Sequence, residues 1–241
     1  MMKTALITGA NKGIGLATAQ QLLDAGYFVY IGSRDIAKGE EAVAMLGHAN
    51  TAVVQLDVTD THSILAAREL IGRSTTQLDV LINNAGISGG FPQAPATVPV
   101  QMIRDVFETN FFGVIQVTQA FMDLLQKSPQ PRIVNVTSGL ASLTLHSDPS
   151  WVYYSFKGAA YGPSKTALNA YTLSLAYELR ETNFKVNAVD PGYTATDFNH
   201  HSGPGTVENA AALLVRFATL GADGPTGKYF SNDRNGETSP W

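Results

Sequence analysis

Short apolar runs alternate with segments of helical period or composition along almost the whole chain, and this alternation is the strongest constraint on its fold. The runs predict seven strands, near residues 4–8, 27–31, 51–56, 80–83, 132–137, 186–189 and 228–231. The intervening segments predict helices near residues 14–25, 36–46, 60–73, 99–126, 162–182 and 206–219. Strands that alternate with helices lie parallel in one sheet, because each helix carries the chain back across a face of that sheet.

The expected architecture is therefore an α/β fold, with a mostly parallel seven-stranded sheet and helices on both faces. Crossovers between parallel strands are right-handed in nearly all proteins, so the sheet should be doubly wound. With 241 residues and 44% hydrophobic content, the chain can bury one sizeable core, and we expect a single domain over residues 1–241. The Pro/Gly-rich patches at 86–99 and 202–205 predict loops within this domain.

Composition argues against several classes of function. The net charge is −4, only 15% of residues are charged, and no run of Lys or Arg occurs, so we expect no nucleic-acid or membrane partner. The absence of cysteine excludes disulfides, thiolate metal sites and a thiol nucleophile. The adjacent His200 and His201 lack an acid–histidine spacing, so we expect a solvated loop and no metal site. Without an 18-residue apolar stretch or room for a signal peptide, the protein should be cytoplasmic.

A glycine-rich turn separates the first predicted strand from the first predicted helix. Gly9 permits the tight turn, Gly13 lets the backbone approach a pyrophosphate, and Gly15 allows close packing of the helix on the strand. The N–H groups at the helix start would hold the phosphates. The spacing G-x3-G-x-G favours a nucleotide site in this position, although such turns also simply connect elements. No Gly-Lys-Ser/Thr follows, which excludes a P-loop.

The end of the second strand bears on which nucleotide would bind. The sequence there is Ser33, Arg34, Asp35. If the ribose faces Ser33, Arg34 can bind a 2′-phosphate through paired hydrogen bonds. Lys12 in the glycine turn could add a second positive charge. These residues favour NADP(H). In the alternative, Asp35 binds the ribose hydroxyls of NAD and Arg34 is a solvated surface residue.

Tyr161 and Lys165 are four residues apart in the first turn of a predicted helix, so their side chains share one face. A neighbouring cation favours the phenolate, and we therefore expect a lowered pKa for Tyr161. Such a tyrosine can give a proton to a carbonyl oxygen or take one from an alcohol. Alone, the pair is also compatible with an ordinary solvated helix face.

Seven motifs occur in the order typical of one enzyme family. They are Thr8 to Gly15, Leu56-Asp57-Val58, Asn83-Asn84-Ala85-Gly86, Thr109-Asn110-Phe111, Ser138 after Val136-Thr137, Tyr161-x-x-x-Lys165, and Pro191-Gly192. Through them the chain resembles the short-chain dehydrogenase/reductase family over nearly its whole length, and looks closest to its NADPH-dependent carbonyl reductase branch. The resemblance implies a doubly wound Rossmann fold, NADP(H) as cofactor and reduction of a ketone or aldehyde.

The resemblance also implies a catalytic set of four residues. Tyr161 would be the general acid for reduction, Ser138 would hold the substrate oxygen, and Lys165 would lower the tyrosine pKa and bind the nicotinamide ribose. Asn110 would hold a water that links Lys165 to solvent. The implied cofactor contacts are Gly9, Asn11, Lys12, Gly13, Ile14, Gly15, Ser33, Arg34, Asp57, Val58, Asn83, Ala85, Gly86, Tyr161, Lys165, Pro191, Gly192, Thr194 and Thr196.

The chain departs from the family pattern between Ser138 and Tyr161, where residues 145–156 lengthen the common spacing. The aromatic residues there either form a wall facing an apolar or aromatic ketone, or only pack the insertion onto the body. They are Trp151, Tyr153, Tyr154 and Phe156. The insertion precedes a helix that many family members bury against a partner, so a monomer and a homo-oligomer both stay open.

Two other functions remain as alternatives to carbonyl reduction. One is an NAD(P)-dependent alcohol or steroid dehydrogenase that works as an oxidant on a small-molecule alcohol. The other is a regulator that binds NADP(H) without turnover, which loss of the Tyr161–Lys165 pair would favour. Both residues are present, so the enzyme is the leading hypothesis.

Overall fold

A computed structural model of the protein describes residues 2–241, and all eight strands of these residues lie in one sheet. The strands are β1 Thr4–Thr8, β2 Phe28–Ser33, β3 Thr51–Gln55, β4 Val80–Asn83, β5 Arg132–Val136, β6 Lys185–Asp190, β7 Tyr229–Ser231 and β8 Glu237–Thr238. Their spatial order is β3-β2-β1-β4-β5-β6-β7-β8, and every neighbouring pair is parallel except β7 and β8. The predicted α/β fold with a mostly parallel sheet is confirmed.

The helices follow the predicted alternation with the strands. They are α1 Gly13–Asp24, α2 Ile36–Leu46, α3 Thr61–Ser74, α4 Val100–Phe107, α5 Gly113–Leu125, α6 Leu143–His146, α7 Tyr161–Glu178 and α8 Val207–Ala218. The single helix expected over residues 99–126 is instead α4 and α5, joined by the π-helical turn Glu108–Phe112. Within residues 2–241, no helix is both long enough and apolar enough to cross a membrane.

All seven expected strands are present, and the chain adds a short eighth strand, β8, after β7. The two strands form a hairpin closed by Asn235 and Gly236, which both have positive φ, and Gly236 N donates to Ser231 O at 2.9 Å. The strand β8 is only two residues long and both are exposed. So short a polar segment has no apolar periodicity, and the sequence therefore gave no signal for it.

Alternation within the buried strands creates two cores, one on each face of the sheet. In β1, Ala5 and Ile7 belong to the core under α1, α2 and α8, whereas Leu6 belongs to the core under α3, α5 and α7. All three residues are fully buried. Since successive side chains of a strand point to opposite faces, a parallel strand covered on both faces must be apolar at every position. This explains why the strands read as continuous apolar runs.

The strand order reverses between β1 and β4, and the turns that follow these two strands are hydrogen-bonded together. Thr8 Oγ1 accepts from the backbone N–H groups of Asn84 and Ala85, both at 3.0 Å. The Asn84 amide donates in return to Thr8 O at 2.9 Å and Gly9 O at 3.1 Å. Ligands of such sheets bind outside the carboxyl ends of the strands at the point of reversal. The glycine turn therefore lies where a nucleotide is expected.

Gly9→Ala tests how closely these two turns must approach. Gly9 has φ +63°, and a Cβ there would lie 2.9 Å from Ala85 Cα. Gly26→Ala is the matched control, because Gly26 has φ +83° but no atom within 4 Å of its Cβ position. In urea unfolding, we expect the free energy of unfolding to fall by about 3 kcal/mol for Gly9→Ala and by about 1 kcal/mol for Gly26→Ala. Equal losses would mean that only backbone strain matters.

Candidate active site

Three residues of the implied catalytic set meet where β5 ends and α7 begins. Tyr161 is the first residue of α7, Lys165 lies one turn later, and Ser138 follows β5 by two residues. Lys165 is 4% exposed, and its Nζ donates to Val136 O at 2.8 Å. The same Nζ is 6.0 Å from the centre of the Tyr161 ring, and the Ser138 side chain is close enough to lower the pKa of Tyr161. The two loops thus bring a hydroxyl, a phenol and an amine into one small volume.

The expected lowering of the Tyr161 pKa by Lys165 is wrong. Desolvation of the partly buried phenol raises its pKa, and this effect exceeds the opposing effect of the nearby Ser138 hydroxyl. The nearby Asp190 carboxylate raises the pKa further. Lys165 does not compensate because its ammonium faces the Val136 carbonyl at the end of β5. The structure therefore presents Tyr161 as a protonated phenol, which is the donating form.

Burial also lowers the pKa of Lys165, from an ordinary 10.5 to about 8. The backbone carbonyl of Val136 is the hydrogen-bond acceptor for its Nζ, and Lys165 is in none of the ion pairs found in residues 2–241. A desolvated ammonium without a counter-ion loses its proton more readily. Lys165 therefore titrates close to physiological pH.

Asn110 lies in the π-helical turn and is fully buried. Its Nδ2 donates to Ile87 O at 2.9 Å and to Ser164 Oγ at 3.1 Å, while its Oδ1 accepts from Ile87 N at 2.9 Å. Ser164 Oγ in turn donates to Tyr161 O at 2.7 Å. The Asn110 side chain thus fixes the first turn of α7 and the loop after β4. Its role in holding a water stays a prediction.

Gln93 is a site residue that the sequence analysis missed. It lies in the loop between β4 and α4, is 2% exposed, and its Oε1 accepts from Ala160 N at 3.2 Å and Tyr161 N at 3.0 Å. Its Nε2 donates to Ser88 O at 2.6 Å and Gly90 O at 2.7 Å. Helix α7 has no capping side chain of its own at Ala160. Gln93 caps it from another loop, a long-range contact that no local pattern reveals.

The glycine turn has the geometry of a phosphate cradle. Gly9 and Gly13 both have positive φ, and α1 begins at Gly13 with no side chain capping its N-terminus. The first N–H groups of such a helix are free to bind an anion. Asn11 and Ile14 complete the turn and are partly buried. Other atoms also approach Gly15 closely. A Cβ at this residue would lie 2.6 Å from Nδ2 of the Asn84 amide, and atoms of the glycine turn itself are nearby.

The glycine turn and the catalytic residues are neighbours in the structure. The Cβ position of Gly86 lies 3.6 Å from Lys165 Nζ, and Ala85 contacts Gly9. On the other side, Thr196 Cγ2 approaches within 3.7 Å of the Cβ position of Gly13. The turns after β1, β4 and β6 therefore lie next to one another, with Gly86 beside Lys165.

The two charged residues after β2 have different roles: Asp35 caps a helix, and Arg34 is an exposed cation. The Asp35 carboxylate accepts from Ala37 N at 3.1 Å and Lys38 N at 3.3 Å, so it caps α2. Arg34 is exposed, and it takes part in none of the ion pairs found in residues 2–241. Ser33 is buried at the end of β2, and its Oγ donates to Asp35 O. This arrangement argues against the alternative in which Asp35 binds a ribose.

Two of the implied cofactor contacts point elsewhere. Lys12 Nζ forms an ion pair with Asp197 Oδ2 at 2.8 Å, so its charge is directed to the loop after β6. Asn83 is 2% exposed, and its Nδ2 donates to Thr118 Oγ1 and Asn135 Oδ1 inside the sheet. An amide buried in this way cannot line an adenosine ribose with its side chain. The sequence identified both positions by motif, which does not reveal where a side chain points.

The remaining implied contacts lie in the turns that follow β3 and β6. The Asp57 carboxylate accepts from Thr59 N and Thr59 Oγ1, and Val58 is 7% exposed. Gly192 has φ +77° directly after Pro191. Thr194 is 4% exposed, and its hydroxyl donates to the carbonyls of Pro191 and Gly192. The loop after β6 is thus shaped by its own hydrogen bonds.

The insertion before α7 forms a row of aromatic rings that continues into the loop after β6. The rings contact edge to face, with centroid distances of 5.0, 5.5 and 6.0 Å along the series His146, Trp151, Tyr153 and Tyr193. Trp151 Cζ2 lies 3.6 Å from the Cβ position of Gly139. Tyr154 and Phe156 stay exposed. The insertion therefore packs on the body beside Ser138 with two of its aromatic residues and exposes the other two.

Phe198 adds an aromatic contact to the site that no motif predicted. Its ring centroid is 5.4 Å from that of Tyr161, and the residue is 44% exposed. It belongs to the 3-10 helix Asp197–Asn199 in the loop after β6. Next in this loop come His200 and His201, and His201 Nε2 pairs with Asp197 Oδ1 at 2.9 Å. No group of three or more residues suited to a metal occurs in residues 2–241.

A family comparison agrees with this geometry. The model of the short chain dehydrogenases matches residues 3–206. This chain belongs to the short-chain dehydrogenase family. The family resemblance and the Rossmann fold expected from the motifs are both confirmed.

Other short-chain dehydrogenases are similar to the protein over nearly its full length. (−)-Isopiperitenone reductase of Mentha piperita is 32% identical, over 97% of this chain and 98% of that protein. (+)-Neomenthol dehydrogenase of Capsicum annuum is also 32% identical, over 94% of each chain. Among solved structures, NADPH-bound carbonyl reductase from chicken fatty liver matches with a TM-score of 0.86 at 26% identity, over 100% of this chain and 99% of that one.

Lys165→Met should stabilise the protein at pH 7, although it removes a catalytic candidate. A lysine whose pKa is lowered from 10.5 to about 8 destabilises the fold below pH 8, and this cost disappears as the pH rises to 10.5. The loss of the hydrogen bond to Val136 offsets part of this effect. We therefore expect the free energy of unfolding of Lys165→Met to exceed that of the wild type by about 2 kcal/mol at pH 7, and this difference should vanish near pH 10.

Urea unfolding between pH 6.5 and 10 measures this difference. Lys127→Met is the control, because Lys127 is exposed and pairs only loosely with Asp123 at 4.0 Å. Its stability should follow that of the wild type within about 0.5 kcal/mol at every pH. A Lys165→Met protein that is less stable than the wild type at pH 7 would show that burial does not disfavour the charged amine.

Proposed function

We propose that this short-chain dehydrogenase is an NADP(H)-dependent carbonyl reductase that converts a ketone or aldehyde to an alcohol. The observation that carries the proposal is the meeting of Ser138, Tyr161 and Lys165 beside the glycine turn. A protonated phenol next to a hydroxyl can hold and protonate one carbonyl oxygen. The NADPH-bound carbonyl reductase of chicken fatty liver, which matches over the full chain, supports the same reaction.

The residues of the glycine turn and of the end of β2 suit a dinucleotide with a 2′-phosphate. The positive φ of Gly9 and Gly13 and the uncapped start of α1 suit the pyrophosphate. Arg34 supports NADP(H) over NAD, because its guanidinium is exposed at the end of β2 while Asp35 is occupied as a helix cap. Since Lys12 pairs with Asp197, the preference for the phosphate rests on Arg34.

In this proposal the protein supplies position and protons. When bound, the reduced nicotinamide would supply the hydride. Ser138 would donate a hydrogen bond to the substrate oxygen, and Tyr161 would transfer its phenolic proton to that oxygen as negative charge develops. Lys165 would bind the nicotinamide ribose and return a proton towards Tyr161, a task for which a pKa of about 8 is suited. Asn110 and Gln93 would keep the start of α7 in place.

A second candidate is the reverse reaction, in which Tyr161 accepts a proton from an alcohol. The similar (+)-neomenthol dehydrogenase of Capsicum annuum favours this direction by its name. The raised pKa of Tyr161 favours reduction at neutral pH, because a protonated phenol is a donor and not a base. A cytoplasmic location, a single domain and the choice between monomer and homo-oligomer stay predictions.

The decisive test is NADPH consumption by the purified protein with a panel of aryl ketones, α-diketones and quinones. We expect turnover, and Tyr161→Phe should reduce kcat about 10²- to 10⁴-fold by removing the proton donor. NADPH affinity, measured by nucleotide fluorescence, should change less than about threefold. If Tyr161→Phe retained activity within tenfold, another group would be the donor. A wild-type protein that oxidises alcohols but reduces no carbonyl would support the second candidate.

Arg34→Ala tests the cofactor preference separately. Loss of a charge-assisted hydrogen bond to the 2′-phosphate should raise KM for NADPH about 10- to 100-fold and leave KM for NADH nearly unchanged. Arg73→Ala is the matched control, since Arg73 is exposed on α3 and pairs only with Glu69. A wild-type preference for NADH, or equal effects of Arg34→Ala on both cofactors, would contradict the assignment.

A further inference from the structure

Gln93 binds three consecutive backbone N–H groups at the start of α7. Its main-chain carbonyl accepts from Ala159 N at 3.0 Å, and its side-chain Oε1 accepts from Ala160 N at 3.2 Å and from Tyr161 N at 3.0 Å. The first N–H groups of an α-helix have no acceptor within the helix, so a group outside it has to supply one. The backbone of the candidate proton donor is therefore bonded directly to Gln93.

The other end of the same amide closes a tight turn in the loop after β4. Nε2 of Gln93 donates to Ser88 O at 2.6 Å and to Gly90 O at 2.7 Å. Gly89 and Gly90 in this turn have φ of +78° and +80°. The two ends of one side chain, in a residue that is 2% exposed, thus hold two different segments.

The loop closed by Gln93 also begins at the candidate site. The Cβ position of Gly86 lies 3.6 Å from Lys165 Nζ, and Ile87, which follows directly, is 37% exposed. The loop ends at Gln93, which is bonded to Tyr161 N. One short loop therefore joins the two catalytic candidates, and a carbonyl that reaches Tyr161 would meet this loop.

An amide is the side chain that suits this set of hydrogen bonds. One end of the group has to accept two bonds and the other end has to donate two. A carboxylate only accepts, a hydroxyl has a single proton, and a thioether is at best a weak acceptor. Replacement of the amide would therefore leave buried backbone groups unpaired in α7, in the loop, or in both.

We propose that Gln93 is a positioning residue with two separate roles: the Oε1 end of its amide fixes Tyr161 for proton transfer, and the Nε2 end fixes the loop after β4 as a wall of the carbonyl site. This inference rests on the proposed function, because it takes Tyr161 as the proton donor. It goes further by assigning the placement of the donor and the placement of the substrate to opposite ends of one buried side chain.

Gln93→Met removes both sets of side-chain hydrogen bonds and keeps nearly the same volume. Because Tyr161 loses its backbone anchor, kcat for carbonyl reduction should fall about 10- to 100-fold. Because the loop is also released, KM for the carbonyl should rise about tenfold. Both constants are expressed per NADPH-binding site, so that unfolded protein does not contribute.

Gln93→Glu separates the two roles. A carboxylate can still accept from Ala160 N and Tyr161 N, but it cannot donate to Ser88 O and Gly90 O. The value of kcat should therefore return to within about threefold of the wild type, whereas KM for the carbonyl should stay raised about tenfold. KM for NADPH should change less than about threefold in both variants, because Gln93 bonds to the start of α7 and to its own loop.

Asn187→Leu is the matched control for the loss of a buried amide. Asn187 lies in β6 and is 1% exposed, and its side chain donates to Pro225 O at 2.8 Å and accepts from Lys228 N at 3.1 Å. These partners lie in the segment before β7. Its replacement should lower the free energy of unfolding much as Gln93→Met does, but kcat and KM should stay within about twofold of the wild type.

A second readout does not depend on turnover. Amide hydrogen exchange, followed by NMR, reports whether Ala160 N and Tyr161 N keep their acceptor. Exchange at these two positions should become about tenfold faster in Gln93→Met and should stay near the wild-type rate in Gln93→Glu and Asn187→Leu. If the wild type reduced no carbonyl, the proposed function would fail, and the exchange rates would still test how Tyr161 is held.

The outcomes are distinct. An active wild type with an unchanged kcat in Gln93→Met would overturn the inference and leave the proposed function standing. Equal losses of kcat in Gln93→Met and Gln93→Glu would overturn the division of roles between the two ends of the amide. If Gln93→Met did not fold, the rise in KM without a fall in kcat in Gln93→Glu would still be required. If neither variant folded while Asn187→Leu did, Gln93 would be purely structural and the proposal would be overturned.

Discussion

The hydrogen bond from Lys165 Nζ to Val136 O joins the first turn of α7 to the end of β5, and the geometry of the candidate site depends on it. Tyr161 is attached to one side of this bond and Ser138 to the other, so a shift of α7 along the sheet would separate them. Gln93 holds the start of α7 from the loop after β4, and Asn110 holds it from the π-helical turn between α4 and α5. Three segments therefore fix one helix end, and the precision of the site comes from their combined contacts.

Burying these groups has a common electrostatic result. Desolvation raises the pKa values of Tyr161 and Asp190 and lowers that of Lys165, so each group is shifted towards its neutral form. Ionisable groups that lose solvation without close counter-ions reduce stability, and such groups cluster at active sites. The fold carries this cost at the carboxyl ends of β5 and β6, and also at the opposite end of β5, where burial lowers the pKa of Arg132.

The sequence was sufficient for the fold and indicated the position of the candidate site, but it did not give every residue of the site or every side-chain direction. Alternation and motif order located the sheet, the glycine turn and Tyr161 with Lys165, because these depend on local periodicity and spacing. Asn83 and Lys12 were assigned to the cofactor, yet their side chains point into the sheet and towards Asp197. Gln93 was missed, since its role depends on contacts 67 and 68 residues away. The predicted lowering of the Tyr161 pKa was wrong, because the spacing of Tyr161 and Lys165 does not reveal how far the phenol is buried.

The pairing of Lys12 with Asp197 also affects how firmly the loop after β6 is held to the glycine turn. The two side chains belong to the turn after β1 and the loop after β6, and they are 63% and 53% exposed. An ion pair this exposed contributes about 0.5 kcal/mol and weakens as salt accumulates around it. The loop after β6 is thus held to the glycine turn by a weak, solvent-exposed ion pair. At higher salt the loop should therefore separate from the glycine turn slightly more readily, by roughly twofold in the equilibrium.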